Sequence, residues 1–83
     1  HMHPAVAECA VVGAPDPERG TIIKAFVVLK PGYARDVAMA KTLQDFVKQR
    51  IAPYKYPRAI EFPDALPRAG TGKLQRYRLR QQG

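Results

Sequence analysis

The sequence predicts an α+β domain: a small mixed sheet of about three strands packed with one long helix and a short C-terminal basic helix. Two patterns carry this. Apolar, β-branched runs stopped by proline and glycine mark the strands. A single stretch with apolar residues three and four apart marks the long helix. At 83 residues the chain has room for one small domain. Such a domain buries a modest share of its surface and is unsuited to a deep substrate pocket of its own.

His1-Met2 reads as a tag remnant, and the part from His3 onward reads as a piece excised from a larger protein. The first strand is expected over about Val6 to Val12, stopped by Gly13, Ala14 and Pro15. "PDPERG" reads as a long loop. The second strand covers roughly Ile22 to Lys30 and ends at Pro31-Gly32. These two strands are expected to pair as an antiparallel hairpin. Asp36 stands where a helix N-cap belongs. Ala40, Leu43, Phe46, Val47 and Ile51 then form one apolar stripe, with Lys41, Gln44, Asp45 and Lys48 turned to water. Pro53 stops the helix. "AIEF" after Pro57-Arg58 reads as a short third strand, with a right-handed crossover if it runs parallel to the second. A proline- and glycine-rich loop leads to "LQRYRLRQQ", a basic helix with Leu74, Tyr77 and Arg78 turned inward.

Fourteen Lys and Arg against seven Asp and Glu give a net charge of +7. That favours an anionic partner such as nucleic acid, nucleotide, coenzyme phosphate or a membrane surface. Lys73, Arg76, Arg78 and Arg80 form one basic cluster, and Lys48, Arg50, Lys55 and Arg58 another; a solvated basic face is the plain alternative. The single cysteine, Cys9, has no partner for an internal disulfide and reads as a small buried hydrophobe. A reducing cytoplasm fits. No stretch reads as a membrane span or a signal peptide.

"LPRAGTGKLQRYRLR", Leu66 to Arg80, looks at first like a phosphate-binding loop. The P-loop needs a glycine five residues before the Gly-Lys pair and a hydroxyl after it. Here those positions hold Pro67 and Leu74, so that reading fails. Cations interleaved with Tyr77 also suit single-stranded nucleic acid. This is the alternative function, a small basic nucleic-acid-binding or interaction module, but it leaves the glycine loop without a role.

The same stretch resembles the C-terminal domain of AMP-forming acyl-CoA synthetases, in the adenylate-forming superfamily. Pro67, Arg68, Gly72, Lys73, Leu74 and Arg76 match its lysine-bearing motif, in which a threonine often stands at the position of Ala69. "HPAVAECAVVGAPDPERG", "KAFVVLKPG" and "LQDFVKQRIAPYKYPRAIEF" resemble the family's strands and long helix. "APYKYPR" with "GKLQR" is most similar to benzoate, 2-aminobenzoate and medium-chain acyl-CoA ligases.

The resemblance implies the mobile lid of an acid–CoA ligase, with Lys73 as the catalytic lysine for adenylation on a loop built by Arg68, Gly70, Thr71 and Gly72. It also implies a rotation after adenylation that brings a coenzyme A face into place, formed by Tyr54, Lys55, Tyr56 and Arg58 with Arg19 and Gly20. Tyr54 packing the helix end and Arg58 pairing with Glu61 are the structural alternatives. ATP and coenzyme A would be substrates, with Mg2+ bound mainly by a missing N-terminal domain. No cofactor, metal, nucleic acid or membrane is expected for the fragment, which should be inactive alone. Partners would be that N-terminal domain and a lysine acetyltransferase and deacetylase acting on Lys73. The residues that select the acid would lie upstream.

Overall fold

β1 (Val6–Asp16) and β2 (Gly20–Leu29) pair as an antiparallel hairpin, and β3 (Ala59–Glu61) joins the far side of β2 in parallel. The sheet order is β1-β2-β3. With α1 (Val37–Arg50) and α2 (Arg76–Gln82) this is the α+β architecture the sequence predicts. The computed structural model describes residues 3–50, 53, 55–68 and 72–82.

The hairpin is tighter than its sequence suggests. Gly13, Ala14 and Pro15 continue β1 instead of stopping it, and Pro15 pairs with Thr21. Proline is tolerated because β1 is an edge strand, where a missing N–H need not break the ladder. The connection is therefore only Pro17-Glu18-Arg19. The Asp16 carboxylate accepts the backbone N–H of Glu18 at 3.1 Å and of Arg19 at 2.9 Å. Gly20 follows with φ +80°, a value that costs glycine nothing.

A bulge interrupts β1 near its start. Val6 pairs with Leu29 and Glu8 with Val28, so Ala7 is the extra residue. An extra residue reverses the alternation of side chains between the two faces. Val6 consequently packs with Ala25, Val27 and Leu43 on the α1 side of the sheet. Ala10 and Val12 pack with Phe26, Leu66 and Leu79 on the other side. Two small cores thus sandwich the sheet.

Asp36 caps α1 as expected: its Oδ1 accepts from Met39 N at 2.8 Å. Of the predicted stripe, Leu43 is buried and Ala40, Phe46 and Val47 are half-buried, while Ile51 lies outside the described residues. Gln44, Asp45 and Lys48 do not simply face water; all three are half-buried. Gln44 Nε2 donates to the Pro57 carbonyl at 3.0 Å and so ties α1 to the approach to β3. His3 packs edge-on against Phe46, ring centroids 5.3 Å apart.

The inward face of the last helix differs from expectation. α2 begins at Arg76, and among its described side chains Leu79, 1% exposed, is the buried one. Tyr77 is 53% exposed and Arg78 is exposed. Residues two apart on a helix point in different directions, so burying Leu79 turns Tyr77 out. Leu74 does pack against the core, but from the extended segment before the helix.

Candidate functional site

Of the segment from Leu66 to Leu74, residues 66–68 and 72–74 are described. Leu66 is buried, and Leu74 packs against the same cluster. Between them Arg68 and Leu74 form an antiparallel bridge, and Gln75 N donates to the Pro67 carbonyl at 2.9 Å. Gly72 has φ +85° and open space where a Cβ would lie. The backbone conformation, not crowding, is what calls for glycine here. Arg68 closes the loop from the side: one nitrogen donates to the Gly72 carbonyl at 3.1 Å and the other pairs with Glu8. Lys73 is exposed and makes no ion pair among the described residues. The loop therefore presents a solvated ammonium on a braced backbone. Gly70 and Thr71, read as part of this loop, lie outside the described residues.

The second basic group gathers on the α1 side. Arg58 lies over the Tyr56 ring, its guanidinium carbon 4.5 Å from the centroid, and Lys48 Nζ lies 4.2 Å from the same centroid. Arg58 does not pair with Glu61, whose carboxylate is taken by Lys24. Tyr56 is half-buried, Pro57 is buried, and Lys55 and Arg58 are exposed. Arg58 N donates to the Ile23 carbonyl at 2.9 Å, which fixes this segment to β2. Tyr54 lies outside the described residues. Cations stacked on a tyrosine keep their outward N–H donors for an anion. Arg19 is exposed on the hairpin turn, and Gly20 begins β2 three residues before Ile23.

These two basic groups are separate. The loop of Lys73 is braced at Glu8, whereas Arg58 bonds to Ile23, which pairs with Gly13. At about 3.3 Å per residue, Glu8 and Gly13 lie roughly 17 Å apart along β1. The groups also belong to opposite faces of the sheet: the loop packs with the α2 core, and Tyr56 sits against Lys48 of α1.

The AMP-binding enzyme C-terminal domain family matches residues 1–73, most of the chain, ending at Lys73 itself. The chain belongs to this family. Human mitochondrial acyl-coenzyme A synthetase ACSM5 is 51% identical over 82 residues, covering 96% of this chain and 14% of that protein. The Brucella canis acyl-CoA synthetase structure superposes with a TM-score of 0.90 at 48% identity, over 96% of this chain and 15% of that one. A benzoate CoA ligase from Burkholderia xenovorans LB400 gives 0.86 at 51% identity, over 94% and 16%. The chain thus spans about one seventh of the length of these relatives.

Within this AMP-binding enzyme C-terminal domain, the pairing of Glu8 with Arg68 is not legible in the sequence. Lys48 belongs to the basic cluster the sequence marks, but its place over Tyr56 differs from the water-facing position expected, and Glu8 reads only as a strand residue. Glu8 lies 60 residues from Arg68, a separation that leaves no local pattern to find. Among the described residues, no three His, Cys, Asp or Glu side chains gather as metal ligands. No helix among them is long and apolar enough to cross a membrane.

Cys9 is not the buried hydrophobe expected. The alternation after the bulge turns it to the α1 side, where it is exposed at an apolar cleft of about 270 Å³ with Val11, Ile23 and Val47. Although water reaches the residue, its apolar surroundings desolvate the thiolate and push the thiol pKa up. The nucleophile is the thiolate. Iodoacetamide should therefore label Cys9 more slowly at neutral pH than an unhindered peptide cysteine, with a rate that climbs at a higher pH than the peptide's. Labelling as fast as the peptide at pH 7 would contradict this.

Proposed function

We propose that this domain is the mobile C-terminal lid of an AMP-forming carboxylic acid–CoA ligase. Lys73 serves adenylation, and the face built from Tyr54, Lys55, Tyr56 and Arg58, with Arg19 and Gly20, serves coenzyme A. The observation that carries the reading is the separation of two basic groups onto opposite faces of one small sheet. A single binding face would gather them; a lid that works in two orientations needs one on each side.

In the first step a carboxylate oxygen attacks the α-phosphorus of ATP, the bond to the β-phosphate bridging oxygen breaks, and pyrophosphate leaves. Negative charge grows on the phosphoryl oxygens, and a cation placed there lowers the barrier. Lys73 is such a cation, compact and on a long stem. In the second step the coenzyme A thiol, losing its proton, attacks the acyl carbonyl and AMP leaves. Arg58, held over the Tyr56 ring, offers donors to the coenzyme's phosphates. ATP with its Mg2+ and the acid would be held by the N-terminal domain, so the chain alone should release no pyrophosphate. The reading extends to a cytoplasmic location and leaves the choice of acid to residues upstream.

Arg58→Ala in the full-length ligase tests it. Adenylation, followed as pyrophosphate release, should stay near wild type. The apparent affinity for coenzyme A, measured as thioester yield from pre-made acyl-adenylate, should fall roughly 5- to 150-fold. That range corresponds to about 1–3 kcal/mol for a charged hydrogen bond. Equal damage to both steps would overturn the two-face assignment.

A further inference from the structure

We propose that Glu8 is a positioning residue for adenylation. It holds Arg68, and Arg68 holds the Gly72 carbonyl, so that β1 fixes the backbone from which Lys73 projects. The inference rests on the reading of Lys73 given above and adds to it a residue 60 positions away from Arg68 in the chain.

The bulge is what brings Glu8 there. With strict alternation, Val6 and Glu8 would share a face. The extra residue, Ala7, leaves Val6 under α1 and sends Glu8 to the face of Leu66 and Leu79, beside the loop. The Arg68 guanidinium is a rigid fork with donors on separate nitrogens. One nitrogen meets Glu8 Oε1, and the other meets Gly72 O at 3.1 Å. Lys73 therefore lies between two fixed points. Gly72 is held through Arg68 to β1, and Leu74 is held by its bridge to Arg68 and by the core.

Stability is a poor reason for this arrangement. The side chains of Arg68 and Glu8 are 43% and 41% exposed, and ion pairs this wet contribute little to folding. Orientation is the better one. Lys73 has to deliver its charge into a site built by another domain, and small misplacements of a catalytic group cost large factors in rate.

The test uses the full-length ligase with Glu8→Gln, which keeps the shape and removes the charge. The kcat for pyrophosphate release should fall roughly ten- to a hundredfold, the scale of a misplaced group. KM for ATP and acid, thioester formation from added acyl-adenylate, and the melting temperature should stay close to wild type. A second variant exchanges the partners, Glu8→Arg with Arg68→Glu. It restores an ion pair, but a carboxylate cannot donate to the Gly72 carbonyl, so adenylation should stay slow. Lys73→Ala is measured alongside. If Lys73→Ala abolishes adenylation while Glu8→Gln leaves it intact, the inference about Glu8 fails and the reading of Lys73 stands. If Lys73→Ala itself adenylates normally, that reading fails and takes the inference with it. Full rescue by the exchanged pair, or equal loss of both half-reactions in Glu8→Gln, would also overturn the proposal.

Discussion

Lys73→Ala in the full-length ligase should lower the rate of pyrophosphate release on the order of a hundredfold or more, the scale for a single electrostatic group at a developing charge. The same variant should make thioester from pre-made acyl-adenylate at close to the wild-type rate. Lys73 is exposed and its backbone is set by Gly72, Arg68 and Leu74 rather than by its own side chain. Truncating it should therefore leave folding within about 0.5 kcal/mol of wild type, as at other surface positions. A lost rate with an unchanged melting temperature separates chemistry from folding. Lys73→Arg keeps the charge but replaces a compact ammonium with a broad planar group, so it should recover only part of the rate. An Ala variant that loses both half-reactions together would mean that Lys73 serves the domain interface instead.

Leu79→Ala should destabilise the domain by about 2–5 kcal/mol, the range for truncating a buried leucine. A domain of this size is held by only roughly 4–12 kcal/mol in all, so the variant should lie near the edge of folding. Leu79 is 1% exposed and joins Phe26, Leu66, Ala10 and Val12 in the core beneath the loop of Lys73. Tyr77→Ala, two residues away and 53% exposed, should cost less than about 0.5 kcal/mol. Urea denaturation of the 83-residue chain measures both. Comparable losses for the two would mean that α2 packs with a different face. Because Leu66 and Leu74 flank the loop and pack on the same core as Leu79, adenylation should weaken as this core loosens.

The sequence by itself determined the elements, their order and the two basic groups. β-branched runs, the Asp36 cap and the apolar stripe of α1 are local signals, and local backbone physics acts on them directly. The lysine motif was legible for the same reason: Pro67 to Arg76 is contiguous, and the positive φ of Gly72 is a demand that only glycine meets without strain. What the tertiary structure decided was everything that depends on distant neighbours. Pro15 stays in a strand because β1 is an edge, which no window around Pro15 reveals. The bulge at Ala7 reversed the faces of β1, and with them the surroundings of Cys9 and the reach of Glu8. Leu79 rather than Tyr77 is buried because a short helix with one apolar residue docks by that residue. The contact of Arg68 with Glu8 joins residues 60 apart in the chain, and such a pair meets only through the packing of the loop against β1.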